Sequence, residues 1–523
     1  APWFQSLKKA ADMTATDSAG LPPRPPINFK TKALYGLGAS ASIIKQRGIT
    51  TFLLLFYNQV VGLPPAMVST AIMLALVFDA FVDPLVGQIS DNTRSRWGRR
   101  HPFMYAAALP VSVAFYLIWN PPIGWEHEAL FGYMLVCLLT IRLFDTFFEL
   151  PSSALLAELT SDYNERTSII AIRSFCGVAG GLIMQLLVYQ VFLKKNPDGT
   201  GGLLERSGWE VYSIVGAITI FTIILISSSA THHQIPYLRK APTRKITIPA
   251  MLREVGATLN NRSFVVLAIS GMFMNVSLGL KTALELYFNL YFWGLTQGQL
   301  AIMTVTGVLA SIIGVTLAPI IAGKIGKRYA AITMFFGAVI ALLLPIGLRI
   351  IGVMPANGTN LLFGILILDF MANGIMAIMT GVMLQSMIAD VVEDSEVKTG
   401  RRSEGLLFSA DNLFKKIVSG VGVGVSGVLL TYVAFPQGAK PGAVDPDLLR
   451  NLALIYLPTI GAFYAVAISC LFLYKIDKSV HEENLRILQE GVLDARTTDA
   501  QIEAASPAAT GPAGDLSPVT PRP

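Results

Sequence analysis

Two acidic residues inside an apolar stretch are the first side chains whose type and spacing point to chemistry. Asp79 and Asp83 lie four positions apart in LVFDAFVDPLVG, so a regular helix places both carboxylates on one face. Acidic side chains are costly within a membrane, and two on one face require a cation, a basic partner or water. The spacing therefore predicts a site for Na⁺ or H⁺, and the alternative is a structural pairing with arginines.

Four arginines follow in the loop DNTRSRWGRRH: Arg94, Arg96, Arg99 and Arg100. Basic residues beside a span hold their loop on the cytoplasmic side of the membrane. Together with Asp91, the arginines are predicted to form gating ion pairs, with the acidic segment 158–165 as a partner, that break and re-form during a transport cycle.

The elements that must position these residues are membrane-spanning helices. The chain has 523 residues, of which 53% are hydrophobic and 14% charged, and its mean hydropathy is +0.56. Soluble domains carry about 25% charged residues, so the composition excludes a soluble protein. Twelve apolar stretches are long enough to span a bilayer. They lie at 33–61, 67–90, 102–119, 128–150, 167–192, 210–229, 263–293, 300–323, 329–352, 360–389, 405–434 and 451–475.

The distribution of basic residues predicts the orientation. Loops after even-numbered spans contain seventeen Lys and Arg residues, and loops after odd-numbered spans contain five. Because positive residues stay inside, both termini are predicted to be cytoplasmic. The same bias explains the net charge of +6, so no nucleic-acid partner is expected.

Weak internal repetition divides the chain into two halves. GQISDNTRSRWGRR after the second span is echoed by GKIGKR after the eighth, and AELTSDYNER after the fourth is echoed by ADVVEDSEVKTGRR after the tenth. Parallel repeats of this kind are typical of transporters with a central site between two bundles. The predicted parts are a cytoplasmic N-terminal segment without a signal peptide (1–32), a six-helix bundle (33–229), a central cytoplasmic loop (230–262), a second six-helix bundle (263–475) and a partly disordered cytoplasmic tail (476–523).

Nothing in the sequence indicates an enzyme. The three cysteines lie in apolar stretches, and the five histidines lie in predicted loops, helix ends or the tail, without metal-ligand spacing. Walker motifs and nucleophile elbows are absent from the sequence. The sequence therefore predicts no catalytic residue and no cofactor other than the coupling ion.

One loop pattern, G-x-x-x-D…R-x-G-R-R, resembles the signature of the major facilitator superfamily. Its residues are Gly87, Asp91, Arg96, Gly98, Arg99 and Arg100. More narrowly, DAFVDPLVGQISDNTRSRWGRRHPF and residues 386–420 resemble the glycoside–pentoside–hexuronide:cation symporters. The resemblance extends over about residues 33–475. It implies an all-α membrane protein of twelve transmembrane helices in two six-helix bundles, which moves a glycoside or sugar-type solute with Na⁺ or H⁺ by alternating access.

The resemblance also implies roles for individual residues. The family's cation-binding aspartates match Asp79 and Asp83, and its fourth-helix hydroxyl matches Thr146, so the two aspartates would ligate Na⁺ if sodium is the coupling ion. The carboxylate shared by solute and cation matches Glu149, and the fifth-helix arginine that binds the solute matches Arg173.

Two further residues are assigned to coupling. Lys416 matches the eleventh-helix lysine near the cation site and is expected to act as a counter-charge when no cation is bound. Asp145 shares one face of the fourth helix with Arg142 and Glu149. The alternative for Asp145 is a structural pair with Arg142.

The match fails at two sugar-binding positions of the melibiose branch of the family. A first-helix aspartate and a fourth-helix tryptophan of that branch correspond here to Ile43 and Ser153. The lysophospholipid symporters of the wider group also resemble this chain, around PLVG and PVSVAFYLIW. The solute is therefore predicted to be a glycoside, with a lysolipid-like amphiphile as the alternative and a non-transporting sensor or assembly factor as a second alternative. A monomer in a bacterial inner membrane is expected.

The first span carries two basic residues that the sugar-transporter pattern does not predict. Lys45 and Arg47 lie two positions apart and so point in different directions on a regular helix. Either both pair with acids such as Glu149 or reach the interface, or one lines the cavity and binds an anionic group such as a hexuronide carboxylate or a lipid phosphate. On the seventh span, Lys281 and Glu285 are predicted to form a structural pair.

Overall fold

The computed structural model describes residues 27–160, 162–195, 201–238, 261–399 and 404–474, together with 483, 486 and 487. Most of the predicted N-terminal segment, central loop and tail therefore lies outside the described residues. The described part is helical almost throughout, which confirms the predicted all-α class.

The described residues contain twelve helices of 18 residues or more. In chain order they are α1 Phe29–Arg47, α2 Pro65–Asn92, α3 His101–Ile118, α4 His127–Leu159, α5 Tyr163–Leu187, α6 Arg206–Ala230, α7 Arg262–Tyr287, α8 Gln297–Ile325, α9 Lys327–Ile350, α10 Asn360–Thr399, α11 Glu404–Tyr432 and α12 Pro446–Phe472. Helical segments with π geometry extend α1 (Gly48–Phe52 and Phe56–Val61, on either side of Leu53–Leu55), α5 (Val188–Phe192) and α7 (Phe288–Phe292).

Eleven of these helices, α2 to α12, are long and apolar enough to cross a membrane. The chain is therefore a multi-pass integral membrane protein. The helix outside this group, α1, carries four basic residues in its 19 and continues through π-helical turns to Val61. The count of twelve spans and the cytoplasmic location of both termini stay predictions.

Local signals set several helix ends. The Asn28 side chain caps α1 by accepting a hydrogen bond from a backbone N–H at 2.8 Å. A reciprocal capping box between Thr296 and Gln299 starts α8. The π-helical extensions of α1 and α7 are followed by Gly62 and Gly294, whose φ angles of 88° and 62° lie in the left-handed region that glycine adopts most readily. Both segments therefore turn sharply at the same end of the bundle.

Two helices continue beyond their predicted ends. The helices that contain the spans predicted to end at 150 and 389 continue to Leu159 and Thr399, and Pro151 lies inside α4. A membrane helix tolerates an internal proline because neighbouring groups compensate the lost hydrogen bond. Hydropathy identifies only the part of a helix that matches the bilayer, so it misses a polar continuation.

The helix contacts of the first half recur in the second. Helix α1 packs on α5 and α6, α2 on α4, and α3 on α4 and α6. Correspondingly, α7 packs on α11 and α12, α8 on α10, and α9 on α10 and α12. Between the halves, α2 packs on α11 and α5 on α8. The contacts of the second half therefore repeat those of the first half in the same order of six helices. The exact boundaries of the two bundles stay predictions.

Hydrogen bonds between the halves close one end of the bundle, where α1 connects to α2 and α7 to α8. Tyr287 donates to Asn58 Oδ1 at 2.8 Å, and Gln59 Nε2 donates to the Pro436 carbonyl at 3.1 Å. Gln59 Oε1 accepts from the backbone N–H of Ala439 at 2.9 Å. The predicted orientation makes this the outer end, and the contacts of Asn58, Gln59 and Tyr287 are called the outer closure below.

Candidate cation and solute site

The side chains predicted to bind a cation meet where α2, α4 and α11 approach one another. The Thr146 hydroxyl lies 2.9 Å from Asp83 Oδ1 and 3.3 Å from Asp79 Oδ1. Lys416 Nζ donates to Asp79 Oδ2 at 3.1 Å and also to Asp83 Oδ2. The two carboxylates thus hold an ammonium group at the place where the sequence predicts a small cation.

Close packing of α11 on α2 brings Lys416 to the aspartates. A Cβ at Gly420 would lie 3.2 Å from the Met73 carbonyl oxygen, and one at Gly427 would lie 2.7 Å from the Pro65 carbonyl oxygen. Small residues permit this approach of two helices within a membrane. The glycine-rich run of α11 therefore serves helix packing.

The donor set limits the kind of ion that the site can bind. Carboxylate and hydroxyl oxygens suit hard cations, and either aspartate can also accept a proton. Within the described residues, no group of three or more His, Cys, Asp or Glu side chains could hold a metal ion. Two carboxylates with a lysine between them could bind a small cation or a proton in competition with the ammonium group.

Two more basic residues border the aspartates, and their pairing corrects a prediction. Arg142 Nη1 lies 3.9 Å from Asp79 Oδ2 and donates to Gln46 Oε1 at 3.0 Å. The pair of Arg142 with Asp145 is wrong, because Asp145 forms an ion pair with Lys45 of α1. Spacing along α4 could not reveal a partner that comes from another helix. The coupling role of Asp145 stays a prediction.

The predicted solute residues Glu149 and Arg173 form an ion pair with a distance of 2.8 Å between Oε1 and Nη2. Glu149 Oε2 accepts from the Ser42 hydroxyl at 2.6 Å. Arg173 Nη1 donates to the Tyr35 and Ser152 hydroxyls at 3.0 and 2.9 Å. This network links α1, α4 and α5, and both oxygens of Glu149 have a protein partner.

Sequence reasoning missed Tyr35, Ser42 and Ser152 as members of this network. Tyr35 and Ser42 lie seven positions apart, which is two helical turns on one face of α1. This spacing could have placed Tyr35 and Ser42 on one face of α1 from the sequence alone. Nothing in the sequence around Ser152, which directly follows Pro151, indicated that it belongs to this network.

Lys45 and Arg47 face different neighbours, as their spacing predicts. Lys45 is buried and paired with Asp145, whereas Arg47 Nη1 donates to Gln185 Oε1 of α5 at 2.7 Å. Pairing with an acid therefore describes Lys45, although the acid is not Glu149. Arg47 lines a cavity between α5 and α8. Neither residue's role in solute binding is tested by these contacts.

The charges of Lys281 and Glu285 interact, but the two side chains do not form the predicted pair by direct contact. Lys281 Nζ donates to Asn373 Oδ1 on α10 at 2.6 Å. Within the described residues, Glu285 makes no hydrogen bond or ion pair through its side chain. Spacing of four positions allows contact along a helix, but the amide of a neighbouring helix is the closer partner here.

The predicted gating arginines are tied to the end of α4. Glu158 Oε1 accepts from Arg99 Nη2 at 2.7 Å and from Arg100 Nε at 2.9 Å, and Arg100 Nη1 lies 2.7 Å from Asp91 Oδ1. All of these residues belong to the first half. The pairs therefore fix the loop between α2 and α3 to α4 and do not connect the two halves.

The fourth predicted gating residue, Arg96, is placed differently. Its guanidinium lies 5.8 Å from the centre of the neighbouring Trp97 ring, and it forms no ion pair within the described part of the chain. The second half has a counterpart of the Arg99 contact, since Lys327 Nζ lies 2.6 Å from Asp390 Oδ1. The gating roles stay predictions.

Comparisons with known proteins agree with this arrangement. A family model described as "MFS/sugar transport protein" matches residues 34–478. The isoprimeverose transporter of Lactiplantibacillus pentosus is 25% identical over 467 residues, covering 89% of this chain and 92% of the relative. The glucuronide carrier protein homolog of Escherichia coli is 23% identical over 427 residues, covering 79% and 87% of the two chains.

Solved structures of transporters share the fold. A nucleoside transporter has a TM-score of 0.58 at 16% identity and covers 84% of this chain and 98% of its own. A bacterial homologue of the human lysosomal transporter Spinster, in an inward-facing conformation, has a TM-score of 0.58 at 15% identity and covers 87% and 100%.

Proposed function

Because this chain belongs to the MFS/sugar transport protein family, whose members are transporters and not enzymes, we propose that it is a symporter which couples a cation to the movement of a glycoside or sugar-type solute. Transport proceeds by alternating access, in which the two halves expose a central site first to one side of the membrane and then to the other. The coupling ion is Na⁺ or H⁺.

One observation carries this proposal: the aspartate pair on α2 is bridged by a lysine from the other half. Within the described residues, the ion pairs of Lys416 with Asp79 and Asp83 are the ones that connect the halves. A cation bound by the aspartates replaces the ammonium group and releases this link. Ion binding thereby changes the relative stability of the conformations, which a coupled transporter requires.

Glu149 and Arg173 are the proposed connection between solute and cation. Glu149 lies three positions after Thr146 on α4, and its partner Arg173 belongs to α5, which packs on α8 of the other half. A solute that displaces this pair therefore acts on the helix that carries the cation-site hydroxyl. Asp145, also on α4, forms an ion pair with Lys45 of α1, and this pair is proposed to keep α4 in place against α1.

The relatives support the solute class and the location. Their names include an isoprimeverose transporter, a glycoside/cation symporter and a lactose permease, and an inner membrane symporter of Escherichia coli is 24% identical over 417 residues. We place this protein in a bacterial inner membrane. A monomer is proposed as the working unit, because one chain supplies the whole cation site.

Thermal unfolding of the purified protein tests the coupling. Midpoints are measured in Na⁺, Li⁺, K⁺ and a pH series, for the unmodified protein and for Asp83→Asn, with Asp447→Asn at an exposed position as the control. A ligand at one hundred times its Kd stabilises the folded state by about 2.7 kcal/mol. We expect a shift with Na⁺ or with pH that Asp83→Asn removes and Asp447→Asn retains. An equal response of all three proteins, or none, contradicts the proposal.

A further inference from the structure

A cavity of about 690 Å³ lies between the halves, next to the Glu149–Arg173 pair and separate from the aspartates. Helices α1 and α5 line it from the first half, and α7, α8 and α10 from the second. Ser174, directly after Arg173, belongs to its wall. Pockets for small molecules have volumes of about 300–1,000 Å³. The size and location therefore suit a solute site.

Two of the described residues that line this cavity are charged, and both have free bonding capacity. Arg47 uses one donor for Gln185, which leaves the rest of its guanidinium available. Glu285, on the opposite half, makes no hydrogen bond or direct ion pair through its side chain within the described residues, although its charge interacts with Lys281 and Arg47. Neighbouring Lys281 donates to Asn373. By contrast, both oxygens of Glu149 have protein partners. Ionisable groups with free hydrogen-bonding capacity are costly inside a membrane and mark candidate binding sites.

The two ends of the cavity differ in polarity. Gln185, Tyr189, Glu285 and Asn289 gather at the end near the outer closure. The other end is lined mainly by exposed apolar side chains of α5 and α8, namely Phe175, Val178, Ile312 and Val315. Ser174, Ser311 and Thr316 also line it, and the Ser311 and Thr316 hydroxyls donate to backbone carbonyls of their own helix. A solute that fills the cavity is therefore polar at one end and apolar at the other.

Resting on the proposed function, we propose that this cavity binds a neutral glycoside with an apolar aglycone. Sugar hydroxyls donate to the Glu285 carboxylate and accept from the Arg47 guanidinium, because a hydroxyl can do both. The aglycone lies along Phe175, Val178, Ile312 and Val315. A neutral sugar is favoured over a sugar acid, because the charges of Arg47 and Glu285 balance each other and an added carboxylate leaves one negative charge in excess. Arg47 and Glu285 are thus specificity-determining residues from opposite halves.

Binding of defined glycosides to the full-length protein in lipid nanodiscs tests this inference. The probes are the 4-methylumbelliferyl and the methyl β-D-glycosides of glucose, galactose and xylose, together with 4-methylumbelliferyl β-D-glucuronide and a lysophosphatidylcholine. Affinities are obtained from thermal unfolding at several ligand concentrations. We expect at least one aryl glycoside to bind about tenfold or more tightly than its methyl counterpart, because the ring is buried in the apolar end.

Matched variants locate the site. Arg47→Ala and Glu285→Gln should each weaken binding of the aryl glycoside by about tenfold to a hundredfold, since each removes a hydrogen bond to a charged group. Arg450→Ala and Glu128→Gln, the same changes at exposed positions, should leave it unaltered. Because neither Arg47 nor Glu285 contacts Asp79, Asp83 or Thr146, the shift of the unfolding midpoint with the cation should persist in both variants.

Several results would overturn the inference. They are binding of none of the aryl glycosides, tighter binding of the glucuronide than of the glucoside, binding of the lysophospholipid in preference to every glycoside, or wild-type affinity in both cavity variants. If the cation response and its loss in Asp83→Asn are still seen in those cases, the coupling proposal stands and only the solute site is wrong.

Discussion

Lys416 Nζ of α11 lies 3.1 Å from Asp79 Oδ2 of α2, and this contact joins the two halves of the protein at the proposed cation site. The ammonium group occupies the space between the two carboxylates because α11 approaches α2 through glycines. A lysine in this place prevents two acids from facing each other without a cation. In the proposed mechanism, a cation that binds the aspartates weakens this link between the halves.

Replacing Lys416 should make the stability of the folded protein depend on added cation. Lys416→Met leaves the carboxylates without their ammonium partner, and we expect it to lower the free energy of unfolding by about 1–3 kcal/mol in cation-free buffer, because Lys416 is partly exposed. The coupling cation should then stabilise the variant more than the unmodified protein, since it no longer competes with an ammonium group. Cation titrations followed by thermal unfolding measure both effects, with Lys440→Met as an exposed control. Weaker cation binding in Lys416→Met would contradict the competition.

The pair of Lys45 with Asp145 should behave as a structural unit. Lys45→Met leaves a carboxylate within the bundle without its partner and should lower the free energy of unfolding by about 3 kcal/mol. The double variant Lys45→Met with Asp145→Asn should recover most of this loss, because neither charge is then left alone. Unfolding in SDS mixed micelles measures the four proteins of the cycle. Additive effects of the two substitutions would show that the pair contributes nothing.

The outer closure should set the balance between conformations. Tyr287→Phe removes the hydrogen bond to Asn58, which is worth about 1 kcal/mol, and so should raise the outward-open population about fivefold. Distances between spin labels at Ile123 and Val353, on exposed outer loops of the two halves, report this population in a protein without its native cysteines. Tyr133→Phe is the control, because the Tyr133 hydroxyl donates to the Leu117 carbonyl within the first half.

Gln59 extends the same test, since its amide contacts both Pro436 and Ala439 of the other half. Gln59→Ala removes both contacts and should shift the spin-label distances further than Tyr287→Phe does. Unchanged distance distributions in both variants would mean that these hydrogen bonds do not hold the outer end closed.

The ion pairs at the end of α4 should affect the rate of transport and not the affinity for the solute. Asp91→Asn and Arg99→Ala each loosen the loop between α2 and α3, which contributes no residue to the lining of the proposed solute cavity. We expect turnover to fall several-fold while Kd changes less than twofold. Uptake into proteoliposomes of the glycoside that stabilises the unmodified protein measures turnover. Arg94→Ala is the control, because Arg94 lies exposed in the same loop and forms no ion pair within the described part of the chain. Normal turnover in both variants would show that Asp91 and Arg99 do not contribute to gating.

Much of the architecture could be predicted from the sequence because hydropathy and helical periodicity are local. The apolar stretches coincide with the helices, and Asp79 and Asp83 share a face with a regular spacing of four. The echo between the two halves likewise corresponds to repeated helix contacts. Helices α4 and α10 continue beyond their predicted spans because hydropathy reports the part of a helix that lies in the bilayer and not the whole helix.

Partners on other helices could not be predicted, because the sequence carries no register between helices. Spacing paired Arg142 with Asp145 and Lys281 with Glu285, whereas the structure pairs Asp145 with Lys45 and Lys281 with Asn373. The position of Glu285 in the proposed solute cavity depends on the packing of α7 against the extension of α1. The sequence by itself determined which charges enter the membrane. The tertiary structure decided which of them are paired and which are left for a ligand, because that depends on how neighbouring helices pack.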